Sequence, residues 1–253
     1  MKAIALAMTT FKEAIRKKVL LVLLVFAFIF IGSSLLFTYF SGGEEIRMVK
    51  DVGLTGMLVF GLLIATFLGM SLIPTEIEKR IIYTILSKPV RRLEVVVGKY
   101  LGAALAVLLM VLLMGLVFMG LVFFKEHSLA PVTVLAIVLT FFELLVVLAM
   151  AVTFSTFAST TLSVVLTIFF YILGSSSDSL QYLGGRSDSP LLKAAVKGFG
   201  YLIPNFEIFN IRSQVLHNEA VPWVYIFKAI IYGLLLSAAL LIVAGMFFQE
   251  KEV

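Results

Sequence analysis

Residues 74–99 read PTEIEKRIIYTILSKPVRRLEVVVGK, a charged stretch set between two apolar runs, Gly53–Ile73 and Tyr100–Phe124. A helix rises 1.5 Å per residue, so roughly 20 residues cross a hydrocarbon core about 30 Å thick, and each run is long enough. The charges between them are costly in hydrocarbon, so the stretch is read as a membrane-proximal loop. Composition leads to the same class. The chain is 61% hydrophobic and only 14% charged, with a mean hydropathy of +1.12, whereas soluble domains hold about 45–50% apolar residues. A soluble enzyme or binding module is thereby excluded.

Three more runs reach spanning length: Val19–Phe40, Leu129–Phe157 and Trp223–Phe248. A sixth, Leu162–Leu173, lies between Ser159-Thr160-Thr161 and Gly174-Ser175-Ser176-Ser177, and reads as a short or incomplete span. Backbone groups in lipid must bond within their own segment. The expected fold is therefore all-α, a polytopic membrane protein of six transmembrane helices in one domain, residues 1–253. A secretory signal at Arg16-Lys17-Lys18 is the competing reading of the first run, but that run outlasts the roughly 7–15 apolar residues of a signal core, so a retained helix is expected.

Lys and Arg placement sets the orientation through the positive-inside bias. Lys2, Lys12, Arg16, Lys17 and Lys18 precede the first span, and Lys79, Arg80, Lys88, Arg91, Arg92 and Lys99 fill the second loop, so both are read as cytoplasmic. The first and third loops, Ser41–Val52 and Lys125–Ser128, hold only Arg47, Lys50 and Lys125 and are read as outer. Six spans return both ends of the chain to the cytoplasm. The net charge of +5 then reflects this bias and anionic lipid, with no nucleic-acid partner expected. Residues 1–18 read as an amphipathic N-terminal helix. Residues 175–222 form the one large extramembrane piece, in which 191–204 dips back into the outer leaflet and Asn205–Val215 is a second short helix; such pieces must be covered by protein, so they are expected to cap the bundle.

Within the 74–99 loop, Thr75-x-x-Glu78 is a capping box that starts a helix. Ile77, Ile81, Ile82, Ile85 and Leu86 share one face, while Glu76, Lys79, Arg80, Tyr83 and Ser87 share the other. Pro89 ends the helix by forcing Lys88 out of helical geometry. Gly98-x-x-x-Gly102 then allows a neighbouring helix to approach closely. Two readings fit this pattern, a helix lying on lipid and a helix docked on a protein. Glu76, Glu78 and Glu94 would be repelled by an anionic surface and favour the docked one.

Glu78-Lys79-Arg80, Thr84-Ile85-Leu86-Ser87-Lys88-Pro89-Val90, Arg91-Arg92-Leu93-Glu94 and Gly98-Lys99 resemble the intracellular loop of permease subunits of type-2 ABC exporters. The six-span plan and the basic amphipathic N-terminus fit the same family, although Arg80-Ile81 stands where members often carry Gly-Thr. Pro204-Asn205-Phe206-Glu207-Ile208-Phe209-Asn210-Ile211-Arg212 is similar to the outer segment of the subgroup that includes nitrous-oxide-reductase maturation and gliding-motility permeases. The resemblance implies that Glu76–Ser87 is a coupling helix seated in a separate ATP-binding-cassette ATPase. It implies contacts from Glu76, Glu78, Lys79, Arg80, Thr84, Ser87, Pro89, Arg91, Arg92 and Glu94. It also implies a second permease chain, a location in the cytoplasmic membrane of a prokaryote, and ATP with magnesium held by the ATPase and not by this chain. No catalysis is expected here: Gly98-Lys99 has Leu93 and Tyr100 where a phosphate loop needs glycine and serine or threonine.

Glu143 stands near the middle of the fourth run, where a charge costs at least about 2.5–3.5 kcal/mol and faces the bundle interior or a wet cavity. A packing role with a serine or threonine partner and a role in a translocation path are both open. The same glutamate supports an alternative, a stand-alone ion-coupled transporter or channel. A third reading is a scaffold that recruits an extracytoplasmic enzyme through Ser175–Pro222. Met110, Met114 and Met119 read as core filler; His127 and His217 lie in separate outer loops without zinc spacing. Ser155, Thr156, Ser159, Thr160 and Thr161 are expected to cap and turn the chain, and Trp223, Tyr225 and Lys228 to anchor the last span at the interface. The chain has no cysteine, which removes disulfides and thiolate metal sites.

Overall fold

The computed structural model describes residues 2–37, 45–72, 92–127, 130–177 and 203–250. Its long helices are α1 (Lys2–Ile15), α2 (Lys18–Phe37), α3 (Glu45–Leu72), α4 (Arg92–Glu126), α5 (Pro131–Phe157), α6 (Thr160–Ser175) and, after a 3₁₀ turn at Glu207–Phe209 and the short α7 (Arg212–His217), α8 (Trp223–Glu250). Five of them, α2, α3, α4, α5 and α8, are long and apolar enough to cross a membrane. The chain is a multi-pass, all-α membrane protein. At 16 residues, α6 is about 24 Å long and falls short of a full crossing.

Contacts along the helices give their directions. Gly61 meets Leu144 and Gly69 meets Ala151, so α3 and α5 run parallel. Thr153 bonds Leu240 and Phe157 stacks on Phe247, while Phe142 and Gly233 approach each other higher up, so α5 and α8 are parallel too. Helix α4 opposes them, its Gly115 against Ile137 and the Tyr100 hydroxyl donating to the Leu145 carbonyl at 3.1 Å. Between two parallel helices the chain must return once. Helix α6 begins that return: Ala158 leaves helical geometry and Ser159 caps the next helix by accepting from the Leu162 amide.

Helix α5 is the central post, with Leu144 through Val152 all buried. Helices α2 and α8 lie at the periphery and expose large apolar side chains, among them Val22, Phe26, Ile29, Phe227, Leu235 and Met246, the surface that lipid or another apolar partner covers. Met110 and Met114 are buried in the core. Thr153, Ser155 and Thr156 bond carbonyls three or four residues back, which keeps their hydroxyls satisfied inside the bundle.

Helix α1 is amphipathic as expected. Ala7, Thr10 and Ala14 are buried on one face while Ile4, Met8 and Lys12 are exposed. Its small residues let it press on α4, where a Cβ at Gly102 would overlap the Ala7 carbonyl and lie 2.7 Å from the Thr10 Cβ. Backbone cannot yield as a flexible side chain can. Gly102→Leu is therefore expected to lever α1 off α4. In this cysteine-free chain, the labelling rate of a Thr10→Cys thiol should rise about fivefold or more, the factor that corresponds to the roughly 1–3 kcal/mol cost of overpacking; an unchanged rate would place α1 elsewhere.

Three sequence expectations change. The stretch Ser41–Val52 is not all loop, because α3 already begins at Glu45 and carries Arg47 and Lys50 as helical residues. Lys50 is fully buried, held by partners that sit far away in sequence. Asn205–Val215 is not one helix either: the 3₁₀ turn and α7 are separated by Asn210 and Ile211. Lys99 belongs to α4 and is buried, donating to the Leu72 carbonyl at 2.8 Å, where a cation meets the C-terminal carbonyls of α3.

Candidate functional site

The stretch 73–91 lies outside the described residues, and with it Glu76, Glu78, Lys79, Arg80, Thr84, Ser87, Pro89 and Arg91, together with the expected coupling helix. Its two roots are described. Arg92 begins α4, and Glu94 is exposed on the first turn, where a carboxylate favours the helix N-terminus. The roots are tied to each other and to α1. Lys99 near the start of α4 bonds the last carbonyl of α3, and Lys17 donates to the Ser71 hydroxyl at 2.5 Å. With Gly102 seated on α1, three helix ends form one block at this end of the bundle.

At the other end, the starts of α3 and α5, the end of α4 and the 203–222 segment meet. Lys50 bonds Glu126 at 2.8 Å and Asn218 at 2.8 Å, and Asn218 donates to Glu126 at 3.0 Å, closing a triangle of three elements. Asn218 takes the left-handed conformation that ends α7, a geometry Asn tolerates. Arg212 pairs with Asp51 and donates to Thr55, and Lys125 reaches Glu45 at 2.7 Å. The loops read as outer are thus gathered on one end. Sequence inspection did not single out Asp51 or Glu126, read Lys50 as a loop residue and met Arg212 only at the end of the 204–212 resemblance.

Glu143 lies between these ends, 12 residues along α5 from Pro131, about 18 Å of helix rise, and is buried. Its partner is Tyr171 of α6, whose hydroxyl donates to Glu143 Oε1 at 2.9 Å, in place of the expected serine or threonine. The residues 204–212 enter the bundle here. Phe206 stacks on Tyr171 at 4.9 Å and Phe209 on Tyr232 at 6.0 Å. The Phe206 amide donates to the Gly174 carbonyl, the Asn205 amide to the Tyr232 hydroxyl, and the Tyr225 hydroxyl to the Ile208 carbonyl. Irregular backbone at depth is tolerated because protein covers it; Phe206, Phe209 and Ile211 are buried. The expected cap is present, formed by 204–212, while 178–202 is outside the described residues. Between α3, α5, α6 and this cap is a cavity of about 210 Å³, with Glu143, Tyr171, Glu207 and Arg212 on its walls.

His127 and His217 are exposed, and no cluster of three metal-ligating His, Asp or Glu side chains occurs among the described residues. What the described residues offer is a bundle with a polar interior chamber, a cap of irregular backbone at one end and a block of tied helix ends at the other, the build of a membrane transport protein. Residues 43–246 match the ABC-2 family transporter proteins, and the chain belongs to that family. It is accordingly a permease component of an ABC transporter. No curated protein matches the chain.

Proposed function

We propose that this chain is the membrane-spanning subunit of an ATP-driven exporter, itself without nucleotide site or catalysis, moved by a separate ATPase that grips the 74–99 loop. The reading rests on the block at the loop's roots. A displacement of the loop acts on the ends of α3 and α4, which Lys99 and Leu72 hold together, and on α1 through Gly102. Force applied at one point therefore shifts three helices as a unit, and α3 passes it to α5 through the tight contact at Gly69. Two ATPases and two permease chains make the working assembly. The coupling contacts are Glu76, Glu78, Lys79, Arg80, Thr84, Ser87, Pro89, Arg91, Arg92 and Glu94. The 204–212 segment aligns the protein with the nitrous-oxide-reductase maturation and gliding-motility permeases.

Co-expression with its ATP-binding-cassette partner tests this directly. The two should co-purify, and reversing the charges of Arg80, Arg91 and Glu94 together should abolish the complex while the permease remains folded. Undiminished transport by the permease alone in liposomes would overturn the proposal in favour of an ion-coupled carrier.

Sidedness follows from the same reading, with the chain in a prokaryotic cytoplasmic membrane and the α1 end inside. His217→Cys should react with a membrane-impermeant thiol reagent in intact cells, and Glu13→Cys only after permeabilisation. The reverse pattern would invert the orientation.

A further inference from the structure

The cavity beside Glu143 has a lining that selects a charge sign. Glu143 and Glu207 both face it, and the one lining cation among the described residues, Arg212, is already engaged by Asp51, the Asp51 carbonyl and Thr55. Glu207 spends one oxygen on the Asn210 amide at 2.9 Å. Glu143 accepts from Tyr171 at Oε1, and its carboxyl group lines the cavity. A buried carboxylate is costly unless it takes up a proton or pairs with a cation. One side of the wall is aromatic, where Tyr171 and Phe206 meet at a 51° tilt beside Phe209, and the rest is aliphatic and hydroxyl-bearing, with Leu54, Leu58, Ala136 and Thr140. Carboxylate plus tilted aromatic faces is the combination that holds an organic ammonium ion, since ring faces attract cations and tolerate the methyl groups a hydrated metal ion lacks.

Size narrows the class. At about 210 Å³ the chamber is below the roughly 300–1,000 Å³ of typical small-molecule pockets, so it suits an alkylammonium group with few attached atoms and not a bulky drug. The Arg212–Asp51 pair, more than a third exposed on each side, marks its mouth toward the end that carries α7.

We infer that this chamber within a single chain is a binding site for a small alkylammonium group, held by Glu143 and Glu207 against Tyr171, Phe206 and Phe209. The site deepens the transport reading by naming a ligand class. Its occupancy needs no ATPase, so the two ideas fail separately.

Choline and ethanolamine are the probes, titrated calorimetrically into the purified chain in nanodiscs of phosphatidylglycerol, which carries no amine. Saturable binding of either, one per chain, is expected, with no binding of 3,3-dimethylbutanol, the uncharged carbon analogue of choline. Glu143→Gln keeps the acceptor for Tyr171 yet removes the charge, and should weaken binding about thirtyfold or more, as loss of a buried charge partner does. Glu207→Gln, on the 3₁₀ turn, should weaken it too and covers the case in which the α5 variant fails to fold. Repeating the titration in phosphatidylethanolamine nanodiscs separates the sources: competition means that lipid headgroups reach the chamber, and unchanged affinity means that it takes free amines. Equal binding of the neutral analogue, affinity unaffected in both glutamine variants, or no binding of either amine would overturn the inference, and the last would leave co-purification with the ATPase untouched.

Discussion

Lys50→Met is expected to destabilise the fold by about 3–5 kcal/mol, the cost of breaking a buried ion pair from one side. The Lys50 side chain is fully buried and Glu126 keeps only 18% of its side-chain surface. Methionine fills the stem volume but leaves Glu126 with Asn218 alone and a charge without a counterion. The same change cuts the link between the α3 start, the α4 end and α7, because Lys50 bonds both others. Midpoints of thermal unfolding, followed by size-exclusion recovery after heating, measure the loss. Lys50→Met combined with Glu126→Leu should regain most of it, since an apolar pair of similar volume is close to neutral where a half-broken ion pair is not. Equal stability of the single variant and the parent would show that the triangle carries no energy.

Gly69 is the second sensitive point. A Cβ there would overlap the Ala151 Cβ and sit 3.1 Å from the Leu148 carbonyl and 3.2 Å from the Val152 amide. Two of the three obstacles are backbone of the central helix, so no rotamer change relieves them. Gly69→Ala should cost about 1–3 kcal/mol through overpacking, and Gly69→Leu should prevent recovery of folded protein from the membrane. Gly120, with nothing within 4 Å of an added Cβ, is the control. There alanine should be neutral or stabilise by up to about 1 kcal/mol, because it is the better helix former. Monodisperse yield and melting midpoint separate these outcomes, and a stable Gly69→Leu would mean that α3 and α5 are not closely packed. This contact bears on function as well, since it joins the block at the loop's roots to the helix that carries Glu143.

Legibility differed sharply between the spans and the site. Runs such as Tyr100–Phe124 announce themselves because hydrocarbon thickness imposes a length that composition displays directly. Gly98-x-x-x-Gly102 pointed correctly to a close approach, though not to α1 as the helix that makes it. Glu143 stood out as a charge in an apolar run, yet Tyr171 was hidden in Phe169-Phe170-Tyr171-Ile172, where aromatic residues look like ordinary lipid-facing bulk. Lys50 was misplaced for a related reason. A lysine six residues into a helix, beside an apolar run, has the same local pattern whether it snorkels to water or turns inward.

Local chemistry therefore determined that this chain lives in a bilayer, where its long helices lie, that its first helix is two-sided, and which segment between spans is too charged to stay in lipid. Those properties depend on residues near one another and on a solvent of fixed thickness. The pairing of Lys50 with Glu126 and Asn218, of Arg212 with Asp51, and of Tyr171 with Glu143 joins positions 28 to 168 residues apart. Tertiary structure alone decided these, along with the chamber that Glu143, Tyr171 and Arg212 line, because the energy of a buried charge depends on what stands across the helix interface and not on its neighbours along the chain.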